Sequence, residues 1–144
     1  MTCPSGKLIV GAAGSKLKFI QKITPLCAII KKDGSFADLA TVDPPPTVGA
    51  FQLKCENGHV VTRLRVSYHE NTAVYPFLGG VEIGCSTWSG GFSSGLPQAA
   101  ATTGFDGWPL KAAVACSNQS QPARALRIRA TTAVKALSIK CDEP

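Results

Sequence analysis

The sequence predicts an all-β, disulfide-bonded domain built from three related antiparallel sheets. Three observations lead there. First, a short apolar alternation ending in cysteine occurs four times: Phe51-Gln52-Leu53-Lys54-Cys55, Val81-Glu82-Ile83-Gly84-Cys85, Ala112-Ala113-Val114-Ala115-Cys116 and Leu137-Ser138-Ile139-Lys140-Cys141. A period of two sets the apolar residues and the cysteine on one strand face. Second, the cysteines bound three spans of similar length, Cys3 to Cys27, Cys55 to Cys85 and Cys116 to Cys141. Recurrence this regular marks an internal repeat. Third, no segment has convincing helical spacing. The nearest is 15–23, with apolar residues at Leu17, Phe19, Ile20 and Ile23, but Thr24-Pro25 would stop a helix. The repeat favours two strands around a turn there, and about ten to twelve strands in all at typical lengths of ~5 residues.

The repeat is visible inside the units. Cys3-Pro4-Ser5-Gly6-Lys7-Leu8-Ile9-Val10 aligns without a gap on Cys55-Glu56-Asn57-Gly58-His59-Val60-Val61-Thr62. Glycine at the shared position supplies a tight turn into the next strand. The third unit lacks that glycine but rejoins later, where Leu126-Arg127-Ile128 matches Leu64-Arg65-Val66. Apolar residues alternating with arginine fit a strand with one wet face. The single domain 1–144 then divides into units of approximately 3–31, 51–86 and 110–142. Long loops, 32–50 and 87–109, join them. Three consecutive prolines (Pro44, Pro45, Pro46) exclude helix and interior strand from the first loop, and Gly, Ser and Ala dominate the second.

Three equivalent sheets in one small domain suggest a β-prism with pseudo-threefold symmetry, each sheet turning one face to a common core. The most economical bridges close each unit, Cys3 with Cys27, Cys55 with Cys85 and Cys116 with Cys141, out of the 15 pairings that six cysteines allow. A bridge closing a loop of this size contributes ~3 kcal/mol.

Composition limits the class further. Hydrophobic content of 44% against 17% charged residues excludes a disordered chain. No apolar run approaches the ~20 residues of a membrane helix, so a soluble protein is expected. An even number of cysteines placed at strand ends points to an oxidising, extracellular compartment. No leader segment is recognisable, and Met1, two residues before Cys3, fits a mature chain with an added start residue. There is no Cys-x-x-Cys, and neither His59 nor His69 clusters with the cysteines, so no metal site or cofactor is expected. The net charge of +6 is spread over strand positions such as Lys16, Lys18, Arg63, Arg65, Arg127 and Arg129. These read first as solvated, edge-protecting cations and second as an attraction for acidic polymers.

The Cys-Pro-x-Gly start at Cys3 and the repeated apolar-x-apolar-x-Cys ends resemble the vitelline membrane outer layer protein I family. The resemblance implies a β-prism with threefold internal repeats over nearly the whole chain. The same shape occurs in jacalin-like lectins and in membrane-recognition domains of some pore-forming proteins, a likeness of fold rather than of function.

An enzyme is not expected. Both histidines fall in turns, and no phosphate loop, Gly-x-Ser-x-Gly or His-Glu-x-x-His motif occurs. Binding has more material. Trp88 and Trp108 flank the second loop, with Phe92 and Asp106 between them, and Asp33 lies in the first. An aromatic face against a sugar ring beside a carboxylate for its hydroxyls is a glycan-binding arrangement, and long loops tend to carry function. Trp88, Phe92, Asp106, Trp108 and Asp33 are therefore the expected ligand-binding residues. Asn118-Gln119-Ser120 is an N-glycosylation sequon. The expected role is a secreted, non-catalytic recognition module for a glycan or glycoprotein surface, extending to anionic polysaccharide; nucleic acid is not expected, for want of a recognised motif. The alternatives are a protective extracellular coat protein and a secreted effector or toxin-associated surface-binding module.

Overall fold

A computed structural model describes residues 1–68, 77–89, 92–104, 114–116, 122–130 and 133–141, with backbone alone at 68, 89 and 92–100. These residues contain no helix and form ten strands: β1 (Leu8–Lys16), β2 (Ile20–Ile30), β3 (Phe36–Thr41), β4 (Ala50–Lys54), β5 (His59–Tyr68), β6 (Leu78–Ser89), β7 (Phe92–Thr102), β8 (Val114–Ala115), β9 (Ala123–Ala130) and β10 (Val134–Cys141). They assemble into three antiparallel sheets, ordered β3-β2-β1-β4, β7-β6-β5-β8 and β10-β9. Residues 15–23 are, as the repeat suggested, the end of β1, a bend and the start of β2.

All three disulfides close one unit each: Cys3–Cys27, Cys55–Cys85 and Cys116–Cys141. The two shared glycine turns also match. Gly6 and Gly58 have φ of 81° and 79°, and the amides of Lys7 and His59 donate to the carbonyls of Pro4 and Glu56 at 3.0 and 3.1 Å. Positive φ is the reason for glycine at both positions.

Two expectations are corrected. The connections 32–50 and 87–109 are not loops throughout, because the first carries β3 and the second carries the end of β6 and all of β7. β3 and β7 are outer strands, so pairing along a neighbour, rather than intrinsic β propensity, sets their conformation. β7 even includes Pro97, which an edge strand tolerates and which falls in a stretch of shifted register between Cys85 and Thr87. The second correction concerns residues 51–54. They do not begin the second unit's sheet but run beside β1 as β4.

That crossing recurs. β4, just before Cys55, pairs with β1; β8, just before Cys116, pairs with β5; Thr2, just before Cys3, bridges to Ala125 in β9. Each unit therefore donates its leading residues to the sheet of the unit before it, and the N-terminus closes the cycle on the third sheet. One bulge accompanies every crossing. The registers skip Val10, Thr62 and Arg124, and the carbonyls of these three accept the amides of Cys55, Cys116 and Cys3 at 2.8, 2.9 and 2.9 Å. A second skipped residue, Gln21, Gly79 or Lys135, stands six positions before each unit's second cysteine. A bulge bends its strand and re-aims the chain, which is what each crossing needs.

The core is common to the sheets. Ile9 and Ile23 from the first, Leu64 and Ile83 from the second, and Leu126 and Leu137 from the third belong to one buried cluster. Removing such side chains from water is the main stabilising term. A smaller cluster, Val10, Leu26 and Ala28 with Ile30 and Phe36, adds to the first unit.

Candidate functional site

The loop between β2 and β3 is built around Asp33. Its carboxylate accepts the Ser35 hydroxyl at 2.6 Å and the Ser35 amide at 3.0 Å. The Lys31 amide donates to the Ser35 carbonyl and the Gly34 amide to the Lys31 carbonyl, each at 2.9 Å. Asp33 is exposed, and the Ser35 hydroxyl, followed by the Ser35 amide, holds its carboxyl below the ordinary carboxylate value. Hydrogen bonds to the charged form have this effect. Asp33 is thus a fixed, ionised acceptor.

Gly34 ties this loop to the second unit. Its φ is 87°, and a Cβ there would meet the Gly58 backbone at 3.2 Å. The Gly58 amide donates to the Gly34 carbonyl at 2.7 Å, and the Trp88 amide donates to the Gly58 carbonyl at 2.8 Å. Three backbones from separate parts of the chain are therefore stitched together: the Asp33 loop, the 56–59 turn and the end of β6. Trp88 is half-buried. It pairs with Ser93, and Ser89 with Phe92, which brings the Phe92 backbone to the same corner. The His59 ring nitrogen Nδ1 lies 3.0 Å from the Asn57 carbonyl oxygen.

Of the five expected ligand-binding residues, the backbone relay through Gly58 links the loop that carries Asp33 to Trp88, and strand pairing sets the Phe92 backbone beside Ser89. Asp106, Trp108 and the sequon Asn118 lie outside the described residues. The second connection leaves the described part at Thr103–Gly104. The Val81 amide donates to the Thr103 hydroxyl at 3.0 Å, seven residues back along β6 from Trp88, or roughly 23 Å at strand spacing. Sequence reasoning grouped Trp88 with its own connection. It missed the 56–59 turn as the piece joining Trp88 to Asp33. The Gly34 and Gly58 positions were the available signal, since a glycine with positive φ often permits close backbone approach.

The strand arginines differ from sheet to sheet. Arg65 faces Glu82 across the β5–β6 pair at 3.9 Å, and Arg63 runs over Gly84, where a Cβ would crowd it. Arg127 and Arg129 of β9 are both exposed. All six cysteines are bonded to one another, and the described residues contain no group of His, Cys, Asp and Glu able to hold a metal ion. Comparison with family models, with curated proteins and with solved structures gives no match.

Proposed function

We propose that the chain is a secreted, non-catalytic recognition module, and that it binds carbohydrate at the corner where backbone hydrogen bonds tie the Asp33 loop to the 56–59 turn and to Trp88. The observation that carries this reading is the backbone relay from Gly34 through Gly58 to Trp88. It holds an ionised acceptor and an aromatic side chain on one preorganised framework. Preorganisation lowers the ordering cost of binding. A carboxylate can accept sugar hydroxyls, while an indole covers the apolar face of the ring. Asp33 is suited to accepting hydrogen bonds rather than to donating a proton, because Ser35 favours its ionised form. The three intramolecular disulfides are compatible with an extracellular setting.

We further propose that the sheets stand as a β-prism with pseudo-threefold symmetry, the arrangement implied by the resemblance to the vitelline membrane outer layer protein I family. The recurring bulges and crossings support it. The Asp33–Trp88 corner would then lie at one end of the prism.

The test is titration of Trp88→Ala against neutral oligosaccharides first selected with the unaltered protein. The expected result is saturable binding that survives physiological salt and falls at least about tenfold in the variant, the size of a lost aromatic anchor. Equal affinity in the variant would remove the site from this corner. Self-association into layers without glycan preference would mark a structural coat component instead.

A further inference from the structure

We infer that the outer face of the β9–β10 sheet is a second binding site, for the sulfate groups of an anionic polysaccharide. The repeat supplies an internal comparison. Counted from the bulged residue of each unit, Arg127 corresponds to Ala13 and Arg65, and Arg129 corresponds to Ser15 and Ser67. Counted from the cross-strand partner, Lys140 corresponds to Leu26 and Gly84. The first sheet buries Ala13, Ser15 and Leu26. The second places Arg65 there and sets Glu82 opposite it. The third keeps the arginine but puts Ser138 where Glu82 would be, and adds Arg129 and Lys140. The counter-charge has gone and two cations have been gained.

These cations share a face. Arg127 pairs with Ser138, Arg129 with Ala136, and Ala125 with Lys140. Directly opposed residues of an antiparallel pair, and residues two apart along a strand, point the same way. Arg129, Arg127 and Lys140 therefore follow one another along a strip roughly 13 Å long at strand spacing. All three are exposed. A shallow depression of about 260 Å³ is lined by Arg127, Arg129, Ala136 and Ser138 together with Ile128 and Leu137. No acidic residue occurs in β9 or β10.

A line of cations over small, flat residues fits a linear polyanion. Guanidinium groups bind sulfate and phosphate oxygens in pairs. The Ser138 hydroxyl adds a neutral donor between them. A sulfated polysaccharide is favoured over nucleic acid on two grounds. The three disulfides are compatible with an extracellular setting, outside the compartments that hold most nucleic acid. The strip also carries no aromatic side chain on which a base could stack.

The experiment measures retention and affinity on heparin at low and physiological salt, with desulfated heparin and single-stranded DNA as comparison polymers. The variants are Arg127→Gln/Arg129→Gln and a control pair, Lys22→Gln/Lys54→Gln, which lowers net charge equally through exposed residues elsewhere. Correct folding is checked by nonreducing peptide mapping of the three disulfides. The inference expects heparin binding that needs sulfate and weakens with salt. It expects a loss of about tenfold in the arginine variant and less than about threefold in the control. Trp88→Ala should leave heparin binding unchanged, so this site and the carbohydrate corner fail separately. No heparin binding, equal losses in the two pairs, or DNA bound as tightly as heparin would each overturn it.

Discussion

Single residues set the local geometry. At Gly11 an added Cβ would run into the Leu53 carbonyl oxygen of β4, and the nearest atoms are all backbone. At Gly6 nothing lies within 4 Å, and only the positive φ of 81° opposes a side chain. Gly11→Ala should therefore cost about 3 kcal/mol, the upper end for overpacking against atoms that cannot turn aside. Gly6→Ala should cost about 1 kcal/mol, the left-handed strain less the gain from a stiffer unfolded chain. Urea unfolding of both variants checks the order. At Asp33 the folded carboxyl titrates below its ordinary value because Ser35 donates to it. A depressed carboxyl contributes above its unfolded pKa, and the contribution is lost as pH falls through the folded value. Ser35→Ala should raise the Asp33 midpoint in an NMR titration, and sugar affinity should fall at a correspondingly higher pH. An unchanged midpoint would remove Ser35 as the cause. The Asp33 position was legible in the sequence as a loop carboxylate. Its partner was not, because nothing local links residue 34 to residue 58.

Elements show most clearly what pattern can and cannot reveal. The alternation before each cysteine identified strands correctly at Phe51–Lys54 and Val81–Gly84, yet the two lie in different sheets. Period two says which face a residue occupies and nothing about which neighbour the strand takes. Gly, Ser, Ala and Pro dominate around β3 and β7, a composition that suggests connections, and edge pairing overrides it. The bulges at Val10, Thr62 and Arg124 left no signature, since the three side chains have nothing in common. What they share is a carbonyl that receives the next unit's cysteine amide. If the crossings lock the sheets together, the amides of Cys3, Cys55 and Cys116 should exchange only through global unfolding. Native-state hydrogen exchange should then give them one common free energy, with protection on the order of a thousandfold or more. Fast exchange at Cys3 alone would show that Met1 and Thr2 merely fray against β9.

At the scale of the whole molecule, three sheets contribute to one buried cluster, and three disulfides and the strand crossings tie them together. Each bridge spans 24 to 30 residues and contributes about 3 kcal/mol, so the bridges reinforce a core that is already shared. Such a framework needs little of its outer surface for stability, and its units can diverge on their outward faces. The third sheet shows that divergence in Arg127, Arg129 and Lys140, and the joint between the first two units shows it in Asp33 and Trp88. The bridges were readable because cysteine spacing records them. Of the surfaces, the cations Arg127 and Arg129 were legible as a second reading, an attraction for acidic polymers, but the tie between the Asp33 loop and Trp88 was not, because it joins residues distant in sequence. The most direct measurement is a glycan array probed with the oxidised protein, Trp88→Ala and Arg127→Gln/Arg129→Gln, at low and physiological salt. The account predicts a narrow set of neutral hits lost only with Trp88, together with salt-sensitive sulfated hits lost only with the arginines. An array without hits of either kind at low salt would contradict a recognition role altogether.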